Sequence, residues 1–260
     1  MIDTANRFAP GTFTPAPKPT TRGAMLAAQT RLELVLLLRN GEQLLLTMFI
    51  PITLLIGLTL LPLSGLGDHR VDRVVPTVMM VAVMSTAFTG QAIAVGFDRR
   101  YGALKRLGAT PLPRWGIVAG KCAAVLIVVV LQSILLGAIG FALGWRPSPL
   151  GLLLGAVVIA LGTATFAALG LLLGGTLKAE IVLALANILW FVMLGIASLV
   201  FLSEDLPSAV GLIARAVPSG ALAEALERAL RGSIDWYGVA MLAVWGGASG
   251  WLASKFFRFD

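Results

Sequence analysis

Histidine and cysteine are nearly absent: His69 and Cys122 are the single examples of each in 260 residues. Structural metal sites generally use four protein ligands and catalytic ones three, so this scarcity excludes the usual metal chemistry. The two residues also fall at opposite ends of the hydrophobic spans described below, too far apart to act as nucleophile and base. Cys122 therefore reads as a small apolar residue. Charge is scarce as well. Asp, Glu, Lys and Arg make up 13% of the chain, against about 25% in soluble domains. With 58% hydrophobic residues and a mean hydropathy of +0.91, most of the chain has lipid as its solvent. No phosphate-binding loop is present either. The nearest candidate, 115–122, contains Gly120 and Lys121 but lacks the leading Gly and the terminal Ser or Thr, and no strand precedes it. The first 42 residues show no charged stub followed by a short apolar run and cleavage site, so no secretory signal is expected.

What is there is a set of long runs without Asp, Glu, Lys or Arg: 43–67, 74–97, 122–145, 147–177, 181–203 and 236–254. A hydrocarbon core about 30 Å thick needs about 20 apolar residues of helix. The runs show no alternation of apolar and polar residues, which excludes barrel strands. The expected fold is all-α, with six transmembrane helices near 43–64, 74–97, 117–143, 150–174, 181–203 and 236–254. Once the spans are set, 14 of the 20 Lys and Arg residues lie on the side of the termini, which places both termini in the cytoplasm. The same flanking pattern accounts for the pI near 10.3 and leaves no basic surface for nucleic acid.

Residues 1–21, rich in Pro and Thr, read as a disordered cytoplasmic tail, and 22–260 as a single transmembrane domain. An interfacial helix is expected over 22–41, with Met25, Leu32, Val35 and Leu36 toward one side and Arg22, Gln29 and Glu33 toward another. An extended start to the first span is the alternative. Ionisable side chains are absent from the six runs, whereas ion-driven carriers and pumps usually need one at depth, so energy must come from outside the chain. The polar residues inside the spans, including Ser85, Thr86, Thr89, Gln91, Gln132, Ser133, Thr163, Thr165 and Asn187, read first as helix-packing groups. So do the glycine pairs 116/120, 140/144, 151/155, 170/174 and 246/250.

Two connecting segments carry more information. In the cytoplasmic loop 98–115, residues 99–107 can form a short helix with Tyr101, Leu104 and Leu107 recurring at three-residue steps, leaving Arg99, Arg100, Lys105 and Arg106 for polar contacts. Gly108 and Pro111 end it. Such a basic amphipathic helix suits docking in a groove on a soluble partner; an ordinary positive-inside loop is the alternative. The outer segment 204–235 contains Pro207, an apolar run 210–217, Pro218, and a helix from Ser219 as N-cap. Its apolar stripe is Leu222, Ala225, Leu226, Ala229 and Leu230, with Glu224 and Arg228, and Glu227 and Arg231, paired four apart.

From Arg22 to Phe257 the chain resembles the permease subunits of type-2 ATP-binding-cassette exporters. Arg39, Asn40 and Pro51 match the family's Arg-Asn before a Pro-containing first span. Asp98, Arg99, Arg100, Tyr101, Gly102, Ala103, Leu104, Leu107, Thr110 and Pro111 resemble its coupling-helix pattern, followed by the small-residue and Lys element at Gly120 and Lys121. Asp98 stands for the usual Glu, Arg100 for a second Glu and Ala103 for Thr. The resemblance implies an ATPase-coupling surface of Asp98, Arg99, Arg100, Tyr101, Gly102, Leu104, Lys105, Arg106, Leu107 and Pro111. It implies a non-catalytic chain in the plasma membrane, partnered by two copies of an ATPase subunit that holds ATP and Mg, and by a second permease, identical or homologous. It also implies that the outer segment caps the outer mouth. A substrate path lined from the first, second and fifth spans is expected at Phe49, Ser85, Thr86, Thr89, Asn187, Trp190 and Phe191. These suit an amphipathic drug, lipid or polyketide-like substrate. A membrane anchor or assembly protein, or an ion-coupled carrier, would be the alternative.

Overall fold

Prolines and capping side chains set many of the helix starts in the computed structural model, which describes residues 12, 14, 20–61, 70–110, 112–201 and 208–258. Thr21 accepts from the amide of Ala24 to open α1 (Arg22–Arg39), and α2 (Gly41–Leu60) follows. Next come α3 (Arg70–Val83), a π-helical segment (Met84–Gly90) and α4 (Gln91–Arg100), together one continuous element of 31 residues. A turn at Gly102, whose φ of 69° favours glycine, leads into the short α5 (Ala103–Gly108). Pro113 precedes α6 (Arg114–Ala142). Ser148 accepts from the amide of Gly151 and Pro149 takes the first position of α7 (Pro149–Thr176). The remaining elements are α8 (Ala179–Phe201), α9 (Ser208–Ala216), α10 (Pro218–Leu230) and α11 (Trp236–Phe256). The described residues form no strands.

Among the described residues, four helices are long and apolar enough to cross a membrane: Arg70–Arg100, α6, α7 and α8. The pair α9 and α10, bent by 99°, passes the same test as a unit. The apolar part of α2, Thr47–Leu60, is shorter. The central element is Arg70–Arg100, of whose most apolar stretch 72% is buried, against 22% for α8 on the periphery. Glycines bring α7 close to its neighbours. A Cβ at Gly174 would strike the carbonyl oxygen of Ala92, one at Gly170 that of Phe88, and ones at Gly155 and Gly162 the side chains of Leu230 and Leu222. The 151/155 and 170/174 pairs thus pack as expected on different helices. Gly144 instead turns the chain at φ 99°, and Gly250 has nothing within 4 Å of where a Cβ would stand.

The structure gives α1 a facing that the sequence left open, and it corrects one expectation in the outer segment. In α1 it is Gln29 and Glu33 that are buried, while Leu32, Val35 and Leu36 are exposed. The polar face points inward because Glu33 has a cationic partner there, and the apolar face is left for lipid. In the outer segment the cap is Val217 with Pro218 at the first position, so Ser219 lies inside the helix and is fully buried. The pair α9–α10 dips into the bundle. The Trp245 indole, nine residues into α11 and so about 14 Å along it, donates to the carbonyl of Ala216 at the bend (2.9 Å). α10 then climbs back with its whole apolar stripe buried, and Arg215 closes the bend on Asp235 at 2.7 Å.

Candidate functional site

The loop after α4 gathers the first group of expected site residues. α4 ends at Arg100, so Arg99 and Arg100 belong to the long element and not to the short helix, which starts at Ala103. The reason is local: Gly102 adopts the left-handed conformation and breaks the helix between them. Leu104 is fully buried in a cluster with Val95, Ile117, Leu171 and Ala253, and Leu107 packs against it. Tyr101 points the other way and is 67% exposed. The three-residue apolar spacing therefore does not describe one face. Leu104 anchors α5 to the spans, whereas Tyr101, Lys105 and Arg106 are exposed. Pro111 lies outside the described residues.

Five helices meet at this corner. Lys121 of α6 donates to Asp98 of α4 at 2.6 Å and to Glu33 of α1 at 2.8 Å. Its side chain is 5% exposed and that of Glu33 9%. Gln29 donates to the other oxygen of Glu33 at 2.7 Å. Gly120 permits the approach, since a Cβ there would strike the Gln29 side chain. Two carboxylates thus pair with one buried ammonium, and the Gln29 amide satisfies the remaining oxygen of Glu33, the condition under which buried charge is tolerated. Arg99 donates to the carbonyls of Gly174 and Leu177 at 3.1 and 3.0 Å, covering the open end of α7 where a cation is favoured. Arg100 pairs with Glu180 at the start of α8 at 2.6 Å, on the surface. The charge-free runs end one residue short of Lys121, and its partners are 23 and 88 positions away. Pairing across such separations leaves no spacing signal. The available hint was a Glu at 33 and a Gln one turn earlier on one side of α1.

The second group, the expected substrate path, is only partly brought together. Ser85, Thr86 and Thr89 all lie in the π-helical segment, which no residue pattern announced. Such segments are frequent at functional sites. The Trp190 indole of α8 donates to the hydroxyl of Ser85 at 3.1 Å, and Ser85 donates back to the Val81 carbonyl at 2.8 Å. Trp190 and Phe191 meet edge to face with ring centroids 4.9 Å apart. Thr86 is enclosed: it donates to Gln132 of α6 at 2.9 Å, and Gln132 donates to the Thr47 carbonyl of α2 at 3.0 Å. The buried Thr89 hydroxyl and the Gln91 amide nitrogen have no hydrogen-bond partner among the described residues. Asn187 is exposed and donates to its own helix at the Leu183 carbonyl (2.7 Å), and Phe191 and Phe49 are exposed at 67% and 59%.

Comparison with known proteins bears on both groups. A family model described as ABC-2 family transporter protein matches residues 71–255, well over half of the chain. The match includes α5, Lys121, the π-helical segment and α10. No curated protein matches the chain. Apolar helices of spanning length, an ionic corner beneath the loop after α4 and this match agree: the chain is a multi-pass membrane protein and belongs to the ABC-2 family of transporter proteins, as a membrane permease component.

Proposed function

We propose that this chain is the transmembrane subunit of an ATP-driven exporter, powered by a separate ATPase that docks on the loop 98–115. The observation that carries the reading is the two-sidedness of α5. Its inner side is tied to the bundle through Leu104. The residues just before it are bonded to α6, α7 and α8 through Asp98, Arg99 and Arg100. Its outer side offers Lys105 and Arg106, with the exposed Tyr101 just before it. A push on that face is delivered to several helices at once, because close-packed elements transmit displacement without much compression. The partner brings ATP and Mg; two such partners and a second permease, identical or homologous, complete the transporter.

The chain crosses the plasma membrane six times in this reading, with α2, Arg70–Arg100, α6, α7, α8 and α11 as spans, both termini cytoplasmic, and α9–α10 re-entrant from the outer side. The return of α10 to the end of the bundle where α8 finishes supports an even count. The path for an amphipathic drug, lipid or polyketide-like substrate passes the π-helical segment and the Trp190 and Phe191 face. The unpaired Thr89 hydroxyl favours that segment, since a buried polar group without a partner is costly and is relieved by a ligand that supplies one.

The docking test uses the exposed residues, because Leu104→Asp would bury a carboxylate and disturb the fold. The triple variant Tyr101→Ala, Lys105→Glu, Arg106→Glu is expected to lose co-purification of the ATPase and substrate-stimulated ATP hydrolysis while keeping its helix content. Undiminished recovery of the ATPase would overturn the docking face. Co-purification without any substrate-stimulated hydrolysis would instead favour an anchor.

A further inference from the structure

The end of the bundle away from α5 carries a second concentration of charge. There the connection between α6 and α7 borders a cavity of about 450 Å³, lined by Asp72, Arg73, Trp145, Arg146, Ser148 and Arg231. That volume lies within the range of about 300–1,000 Å³ typical of small-molecule sites. Its lining includes three arginines and one carboxylate. Arg231 is paired with Glu227, and Arg146 uses one amino group on the carbonyls of Phe141 and Trp145 and keeps the rest of its donor fork. Arg73 is exposed, and its guanidinium has no partner among the described residues.

Backbone charge adds to this. Ser148 is the N-cap of α7, so a helix of 28 residues directs its positive end toward the cavity. The walls are held in place. Gly151 packs on the carbonyl of Leu230, where a Cβ would clash, and Trp145 is buried against Gly140 and meets Phe141 at a tilt, ring centroids 5.4 Å apart. The exposed Trp236 opens α11 at the same end, and tryptophan concentrates at the level of lipid headgroups.

We infer that this cavity binds a phosphate-bearing anion, with Arg73, Arg146 and Arg231 as its donors and the start of α7 as its backdrop. Arginine forks match phosphate oxygens in pairs, and the site holds three of them against Asp72 and the Glu227 bound to Arg231, an excess of one positive charge. The phosphate can belong to an anionic lipid headgroup or to a soluble anion. The inference rests on the bundle spanning a membrane, not on the docking of an ATPase at α5.

The test titrates the full chain, purified in neutral detergent, separately with dioctanoyl phosphatidylglycerol, dioctanoyl phosphatidylcholine and inorganic phosphate, and follows binding by native mass spectrometry and thermal shift. Saturable binding of an anionic ligand is expected. Arg73→Gln should weaken it about tenfold, as for loss of one charge-assisted contact. Arg73→Lys should retain most of it, and Asp72→Asn should tighten it. Binding of phosphatidylglycerol but not inorganic phosphate assigns the lipid as source, and binding of both with the same Arg73 dependence assigns the phosphate group itself. The proposal fails if neither anion binds. It fails equally if phosphatidylcholine binds as tightly as phosphatidylglycerol, or if affinity is unchanged in Arg73→Gln and in the double variant Arg73→Gln, Arg231→Gln.

Discussion

Replacing Lys121 with Met keeps the length of the side chain and removes the charge that α1, α4 and α6 share. The ammonium is 5% exposed, between Glu33 at 9% and Asp98 at 35%. Its loss leaves Glu33 with Gln29 as its remaining partner among the described residues, and places two carboxylates on either side of a methyl group. Breaking a buried ion pair from one side costs about 3–5 kcal/mol, because the surviving charge stays desolvated. Most of that belongs to Glu33; Asp98, a third exposed, is screened by solvent and contributes at most about 1 kcal/mol. At roughly 2–4 °C per kcal/mol for a chain of this size, the midpoint of unfolding should fall by about 6–20 °C. The assay is thermal unfolding in detergent, followed by intrinsic tryptophan fluorescence. Adding Glu33→Gln to Lys121→Met should recover the larger part of the loss, and adding Asp98→Asn the smaller part. A Lys121→Met protein within about 1 kcal/mol of the parent, or equal recovery by the two second substitutions, would refute the assignment of Glu33 as the buried partner.

Gly174→Ala should destabilise by about 1–3 kcal/mol, because its Cβ would meet the backbone carbonyl of Ala92 and must part α7 from α4, whereas Gly57→Ala, with nothing within 4 Å, should be near neutral. Relative yields after purification and unfolding midpoints of the two variants check this. Gln132→Leu removes the acceptor of Thr86 and the donor to the Thr47 carbonyl. It should cost about 1–3 kcal/mol, and joint replacement with Thr86→Val should cost less than the sum of the single changes, as a double-variant cycle would measure.

Part of the helix punctuation was legible because it is local: the pairs Glu224–Arg228 and Glu227–Arg231 act within a turn of where they stand. The cap of α10, by contrast, was read too late, at Ser219 instead of Val217, and the starts set by Pro113 and by Ser148 with Pro149 were not read. Facing was less legible. A helix in lipid has no reason to hide its leucines, so the apolar stripe of α1 does not say which side is inward. The same ambiguity hid the direction of Leu104, whose three-residue spacing from Tyr101 is interrupted by the turn at Gly102. The π-helical segment depends on how α3 and α4 wrap against α7 and α8, and no short pattern encodes it.

The charge-poor composition and the long apolar runs determined by themselves that this chain lives in a membrane and is helical, since hydration and backbone hydrogen bonding leave no other option in lipid. The positions of its loops followed from the same runs. Which side chains meet was decided by tertiary structure alone. Glu33, Asp98 and Lys121 converge because Gly120 lets α1 approach α6, and Arg73, Arg146 and Arg231 surround one cavity because α3, α7 and α10 end at the same level. Charges far apart in the chain become one site only when the helices carrying them are packed.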